Sequence, residues 1–159
     1  MTNMPSAFRP TSDRVHEQVA LYEATDGREG GTLEGRPIVI LTTIGAKTGN
    51  IRKNPVMRIK DSDTYVAVAS NGGASTNPSW YRNLSAHPKV SLQDGATVYR
   101  LGARQVRGEE KARWWRVAER NWPRYAEFRV KADDREIFVM VLEPTESLHS
   151  SRTTACITR

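Results

Sequence analysis

Cysteine is almost absent: Cys156 stands alone among 159 residues, which excludes an intramolecular disulfide and a thiolate-rich metal site. Histidine is scarce too. His16, His87 and His149 have neither an i+4 partner nor a nearby cysteine, so no metal centre is expected. No run approaches the roughly 18 uninterrupted apolar residues of a spanning helix, and stable membrane insertion is not expected. The first ten residues hold one arginine and no apolar core of a signal peptide. The expected compartment is the cytoplasm, with peripheral contact at a membrane left open. Acidic residues are the minority, 18 against 24 Lys and Arg, for a formal charge of +6. Such a balance invites an anionic partner. The basic residues are scattered, however, and no basic helix, zinc finger or aromatic nucleic-acid motif collects them. A small anionic molecule is therefore expected rather than nucleic acid.

What is present is the profile of a globular domain, 38% hydrophobic and 26% charged. Val15, Val19 and Tyr22 recur at helical spacing between Ser12 and Ala24. A Gly-rich stretch follows, and residues 1–35 read as an N-terminal helix and linker, a candidate lid. Strand patterns then run from Pro37 to Ile44, Asn54 to Lys60 and Thr64 to Ser70. A helix is expected after Pro78, ending before Pro88. The Asp94-Gly95 pair predicts a hairpin between two further strands. Gly108 to Asn121 reads as a helix, with Trp114 and Trp115 divided between helix packing and a surface patch, because neighbours at i and i+1 face different ways. Arg135 to Glu143 reads as a closing strand. About six strands joined by short turns, with helices inserted singly, predict an antiparallel barrel, mainly β with α, over residues 36–144. Residues 145–159 are Ser/Thr-rich and expected to be a frayed tail.

Two segments carry chemistry. In Gly45-Ala-Lys-Thr-Gly49 a strand breaks, and the glycines allow close approach of backbone amides to oxygen atoms while Lys47 and Arg52 supply charge. The spacing is not that of a P-loop, and an ordinary hairpin turn with exposed cations is the alternative. In Ala69-Ser-Asn-Gly-Gly-Ala-Ser-Thr-Asn-Pro-Ser-Trp-Tyr-Arg-Asn-Leu84 a strand ends in small residues before a Pro-initiated helix. Small residues leave room for something flat, and the helix N-terminus favours an anion. A plain loop with Trp80 and Leu84 in the core is the alternative here.

Taken in order, Gly45 to Gly49, Arg52, Asn54-Pro55, Ala69-Ser70, Gly72-Gly73, Asn77 to Leu84 and His87-Pro-Lys-Val90 resemble the deazaflavin-dependent nitroreductase family, over roughly Ile38 to Pro144. The resemblance implies a split β-barrel and the reduced form of coenzyme F420, a flavin-shaped deazaflavin with a phosphate-linked, anionic tail. FMN is the alternative cofactor. By position, Lys47, Thr48 and Arg52 would meet phosphate and tail. Asn54, Pro55, Val56 and Met57 would line the ring on one side. Ala69, Ser70, Asn71, Gly72 and Gly73 would hold the other, with Ser79, Trp80 and Asn83 from the helix. Related proteins often carry Arg where this chain has Ala46 and Lys where it has Asn71, departures that predict a weaker grip on the tail.

The implied activity is hydride transfer to an electron-poor small molecule: an enone, an unsaturated lactone, a quinone or a nitroaromatic. A non-catalytic F420 carrier is the reading from outside enzymology. Negative charge develops on the acceptor oxygen, so a hydrogen-bond donor is needed. Ser70 and Tyr125 are the candidates. Trp122, Tyr125 and Phe128 resemble the aromatic segment that walls the substrate pocket in relatives. A homodimer, paired through an exposed sheet face, is compatible with this architecture.

Overall fold

β-Branched residues crowd the middle of the chain, and in the computed structural model they form one curled antiparallel sheet; residues 11–145 are described. The strands are β1 (Thr32–Leu33), β2 (Arg36–Ile44), β3 (Ile51–Met57), β4 (Ile59–Asp61), β5 (Thr64–Val68), β6 (Lys89–Asp94), β7 (Thr97–Val106) and β8 (Val139–Pro144). The helices are α1 (Thr11–Thr25), α2 (Ser79–Ala86), α3 (Gly108–Asn121) and α4 (Arg124–Ala132). The sheet path runs β1-β2-β6-β7-β8-β5-β4, and β3 pairs with β2. Only Arg58 separates β3 from β4, so one bent stretch of chain links β2, near one end of the path, to β5, near the other. This is the split barrel with inserted helices that the sequence predicts.

The period-two alternation sorts the core into two layers. Val39, Leu41, Tyr65, Ala67, Leu92, Leu101, Met140 and Leu142 converge on one face of the sheet with Trp80 and Leu84 of α2. Ile38, Ile40, Val66, Val68, Val139 and Val141 face the other way, beneath Val19 and Tyr22 of α1, Trp114 and Trp115 of α3, and Tyr125 and Phe128 of α4. A network ties the curl together. Arg58 donates to both carboxylate oxygens of Asp94 at 3.0 and 2.9 Å, and the Tyr65 hydroxyl donates to the same group at 2.6 Å. Burial opposes ionisation of Asp94, but the Arg58 and Tyr65 hydrogen bonds outweigh it and hold the carboxyl below its ordinary value.

Four expectations about elements change. The sheet has eight strands rather than about six, because β1 adds a short pairing to β2 and the strand expected from Asn54 to Lys60 divides at Arg58 into β3 and β4. The segment after Trp122 is a helix, because Pro123 sits just before the first turn, where its missing N–H costs nothing. The closing strand begins at Val139 rather than Arg135. Trp114 and Trp115 are both 4% exposed, so there is no surface half. Arg113 lies 4.7 Å from the Trp114 ring and Arg129 lies 4.0 Å from the Trp115 ring, which covers them. Among the described residues no helix is long and apolar enough to cross a membrane, and no group of three or more His, Cys, Asp or Glu is placed to hold a metal. Residues 146–159, with Cys156 and His149, lie outside the described residues.

Candidate active site

Two cavities adjoin at the start of α2, sharing Asn77, Pro78 and Ser79 as a common wall. The larger, about 830 Å³, lies where the β2–β3 turn faces α2. Its turn is built by glycine. The Gly45 amide donates to the Asn50 carbonyl at 2.7 Å, the Gly49 amide donates back to Gly45 at 2.9 Å, and Gly49 takes φ +75°, a conformation that costs glycine least. Buried Asn83 fixes this turn to the barrel. Its amide donates to the Thr43 hydroxyl at 3.1 Å and its carbonyl oxygen accepts the Ala46 N–H at 2.9 Å. Asn83 thus reaches the cavity wall with its polar atoms already engaged.

Lys47, Arg52, Arg82 and Arg135 line this larger cavity, and among the described residues no acidic side chain does. Lys47 and Arg52 are exposed and make no ion pair among the described residues. Unpaired cations around one concavity make a field that attracts a multivalent anion. Thr48 lines it too, its hydroxyl accepting the Asn50 N–H at 3.1 Å. Helix α2 starts here with no side-chain cap at Pro78, so its first amides and its dipole add to the positive potential.

The smaller cavity, about 480 Å³, has no charged residue in its lining among the described residues. β3 supplies Asn54, Pro55, Val56 and Met57, and the end of β5 supplies Val68 and then Ser70, Asn71 and Gly72. Trp80 closes one side. Trp122, Tyr125 and Phe128 form the other, with Val15 of α1 and Leu33 of β1. The three aromatics pack edge to face, Trp122–Tyr125 at 5.2 Å and Trp122–Phe128 at 5.3 Å between centroids. The result is a neutral slot of flat walls and small loop residues.

Two buried hydroxyls of the slot make no hydrogen bond among the described residues. Tyr125 is 3% exposed, and its hydroxyl makes no hydrogen bond among the described residues. Burial raises its pKa well above 10.0, so the phenol keeps its proton across the physiological range and is able to donate a hydrogen bond. The Ser70 hydroxyl, 6% exposed, makes no cap bond to the turn it precedes.

Of the residues expected at the site, Ala69 and Gly73 line neither cavity. Ala69 is fully buried, its N–H donating to the Phe138 carbonyl. Gly73 takes φ +81°, and a Cβ there would lie 2.9 Å from the Phe128 carbonyl. Its part is to let the loop press against α4. Sequence reasoning missed Arg82, Arg135, Val15 and Leu33. The first was visible as a charge in the matched segment, whereas the others come from elements far away in the chain.

A profile of the F420H(2)-dependent quinone reductase family matches residues 14–144. The chain is 36% identical over 133 residues to a curated F420H(2)-dependent quinone reductase of Mycobacterium tuberculosis, covering 81% of this chain and 87% of the relative. A solved structure of an F420-H2 dependent reductase, FDR-A, is 47% identical, with TM-score 0.64 over 68% of this chain and 95% of that one. A second, described as a domain-swapped dimer, is 42% identical with TM-score 0.66, covering 84% of this chain and all of that one, 100%.

Proposed function

The chain belongs to the F420H(2)-dependent quinone reductase family, and from that premise we propose that it transfers hydride from reduced F420 to a quinone-type or similarly electron-poor acceptor. The observation that carries this reading is the segregation of charge in one groove: among the described residues, four cations and no acid line one end and no charged side chain lines the other. A cofactor with a flat neutral ring and an anionic tail fits that pair of adjoining cavities. FMN, with its single phosphate, would leave most of the cationic end without a partner.

The reduced deazaflavin supplies the hydride from its central ring carbon. The protein's work is positioning and electrostatics. Lys47 and Arg52, with Arg82, hold the phosphate and tail. Pro55, Val56 and Met57 of β3 would line one side of a bound ring, and Ser70, Asn71 and Gly72 of the loop after β5 would line it too, since all six wall the slot. Trp122, Tyr125 and Phe128 exclude water from the acceptor. The Tyr125 phenol donates to the acceptor oxygen as charge develops there, with the Ser70 hydroxyl as second donor. The neutral lining disfavours anionic acceptors, since an unpaired charge in an apolar slot loses its hydration without replacement. Helix α1 contributes Val15 to this wall, and displacing it would open the slot. The domain-swapped relative supports a homodimer, which light scattering on the purified protein checks.

The test follows the absorbance of reduced F420 on adding protein with menadione, a nitroaromatic or an unsaturated lactone. Protein-dependent reoxidation is expected, fastest with the quinone. Saturable F420 binding with no turnover on any acceptor would leave a carrier, and no binding at all would remove the reading.

A further inference from the structure

The loop between β5 and α2 carries Ser70 in the slot and Asn77 on the wall common to both cavities. Within the loop one side-chain bond closes it, the Asn71 amide donating to the Thr76 carbonyl at 3.0 Å. Its own backbone makes two hydrogen bonds, Gly73 N–H to Ser70 O at 2.8 Å and Ala74 N–H to Asn71 O at 3.1 Å, and Asn71 and Gly72 sit at positive φ. The missing restraint comes from Arg135, just beyond α4. Its Nε donates to the Ala74 carbonyl at 2.8 Å, Nη2 to the Ser70 carbonyl at 2.6 Å, and Nη1 to the Ala69 carbonyl at 3.1 Å and the Asn77 side-chain oxygen at 2.6 Å.

All four acceptors are neutral oxygens. A planar guanidinium presents donors in a fixed fork, and here the fork spans the loop from its first residue to its last turn before α2. Such a set of neutral acceptors uses Arg135 as a geometric clip and leaves its charge uncancelled beside the anion cavity, which it also lines. Burial lowers the Arg135 pKa, the sign expected for a cation with no carboxylate beside it. Gly73 completes the arrangement, since its close approach to the Phe128 carbonyl seats the same loop on the helix that bears Tyr125.

Resting on the function proposed above, we propose that Arg135 is the positioning residue of this site: it holds the Ser70–Asn77 loop against α4, so that the Ser70 hydroxyl and the Tyr125 phenol face the acceptor in one fixed relation. Its contribution to rate then runs through loop geometry, and its contribution to cofactor affinity through charge. The two are separable with Arg135→Lys, which keeps the charge and loses the fork.

The experiment has one arm that needs no cofactor. Hydrogen exchange of the Gly73 and Ala74 amides is expected to speed up about tenfold or more in Arg135→Lys, while Leu41 in β2 and Val141 in β8 exchange as in the wild type. The second arm measures kinetics with reduced F420 and menadione. Here kcat is expected to fall about tenfold, while the F420 dissociation constant stays within about threefold of wild type. In Arg135→Ala, guanidinium ion at low millimolar concentration is expected to recover part of the lost kcat. Unchanged exchange at Gly73 and Ala74 would overturn the proposal whatever the activity. A Lys variant with wild-type kcat, or one that loses affinity alone, would overturn it from the kinetic side. A wild-type protein that fails to turn over F420 would count against the functional reading and leave the exchange arm standing. If Arg135→Ala does not fold, Asn77→Ala removes one acceptor of the same fork and is expected to give the smaller shift, about threefold, in the same two readouts.

Discussion

The two halves of the groove solve opposite problems with opposite means. Around the β2–β3 turn, Lys47, Arg52 and Arg82 are exposed and make no ion pair among the described residues, and Asn83 fixes the turn's backbone at Ala46. Around the slot, aromatic and aliphatic walls are packed and the two free donors, Ser70 and Tyr125, are buried. Affinity can thus be set by exposed charge on one side while reactivity is set by buried geometry on the other. The comparison teaches that binding and turnover should be separable by mutation.

The largest expected effect tests the charged half. Replacing Lys47 and Arg52 together with Ala should raise the F420 dissociation constant at least about tenfold, with kcat at saturation nearly unchanged. Fluorescence titration at two salt concentrations checks it, and the wild-type constant should be the more salt-sensitive of the two. Equal affinity of the double variant would remove these residues from the tail site. On the neutral side, Tyr125→Phe should lower kcat about tenfold while leaving F420 affinity within a factor of about two. Equal turnover would confine Tyr125 to packing.

A stability measurement sharpens the contrast between loop and barrel. Gly73→Ala should cost about 1–3 kcal/mol, because φ is positive and the new methyl meets the Phe128 carbonyl. Gly72→Ala has positive φ but open space around it, and should cost about 1 kcal/mol or less. Thermal unfolding of the pair separates steric from conformational strain. The pH dependence follows from the tyrosines. Burial is the leading cause that raises Tyr22, Tyr65 and Tyr125 above the ordinary 10.0. With folded values above unfolded ones, their linked stability is intact below about pH 10 and is lost as pH rises through the folded values. Melting temperature should therefore decline above about pH 10, and less steeply in Tyr125→Phe. The smallest effect is a gain: Ala46→Arg adds a cation to the larger cavity and should tighten F420 binding by about threefold.

Much of this molecule was legible residue by residue. Gly108 to Asn121 forms the helix its composition predicts, and Asp94-Gly95 turns the hairpin between β6 and β7. The Gly45–Gly49 turn and the Ser70–Trp80 segment lie at the groove, as the ordered motifs require. Helix α4 escaped because Pro123 reads both as the stop of one helix and as the start of another, and only packing on the sheet decides. Asn83, expected at the cofactor, lines the larger cavity, and its bonds to Thr43 and Ala46 are a tertiary feature that no local pattern announces.

The sequence by itself determined the alternation that makes a barrel, the glycine turns, the basic excess and the order of motifs that identifies the family. These are local or compositional properties, written in neighbouring residues. Only the tertiary structure decided that four cations from the β2–β3 turn, α2 and the segment after α4 surround one cavity while none enters the next. It also decided that Arg135 reaches back 66 positions to Ala69 to clip the loop beside it. Hydrogen-bond geometry and burial depend on which distant segments the curled sheet brings together, and no pattern along the chain encodes that partnership.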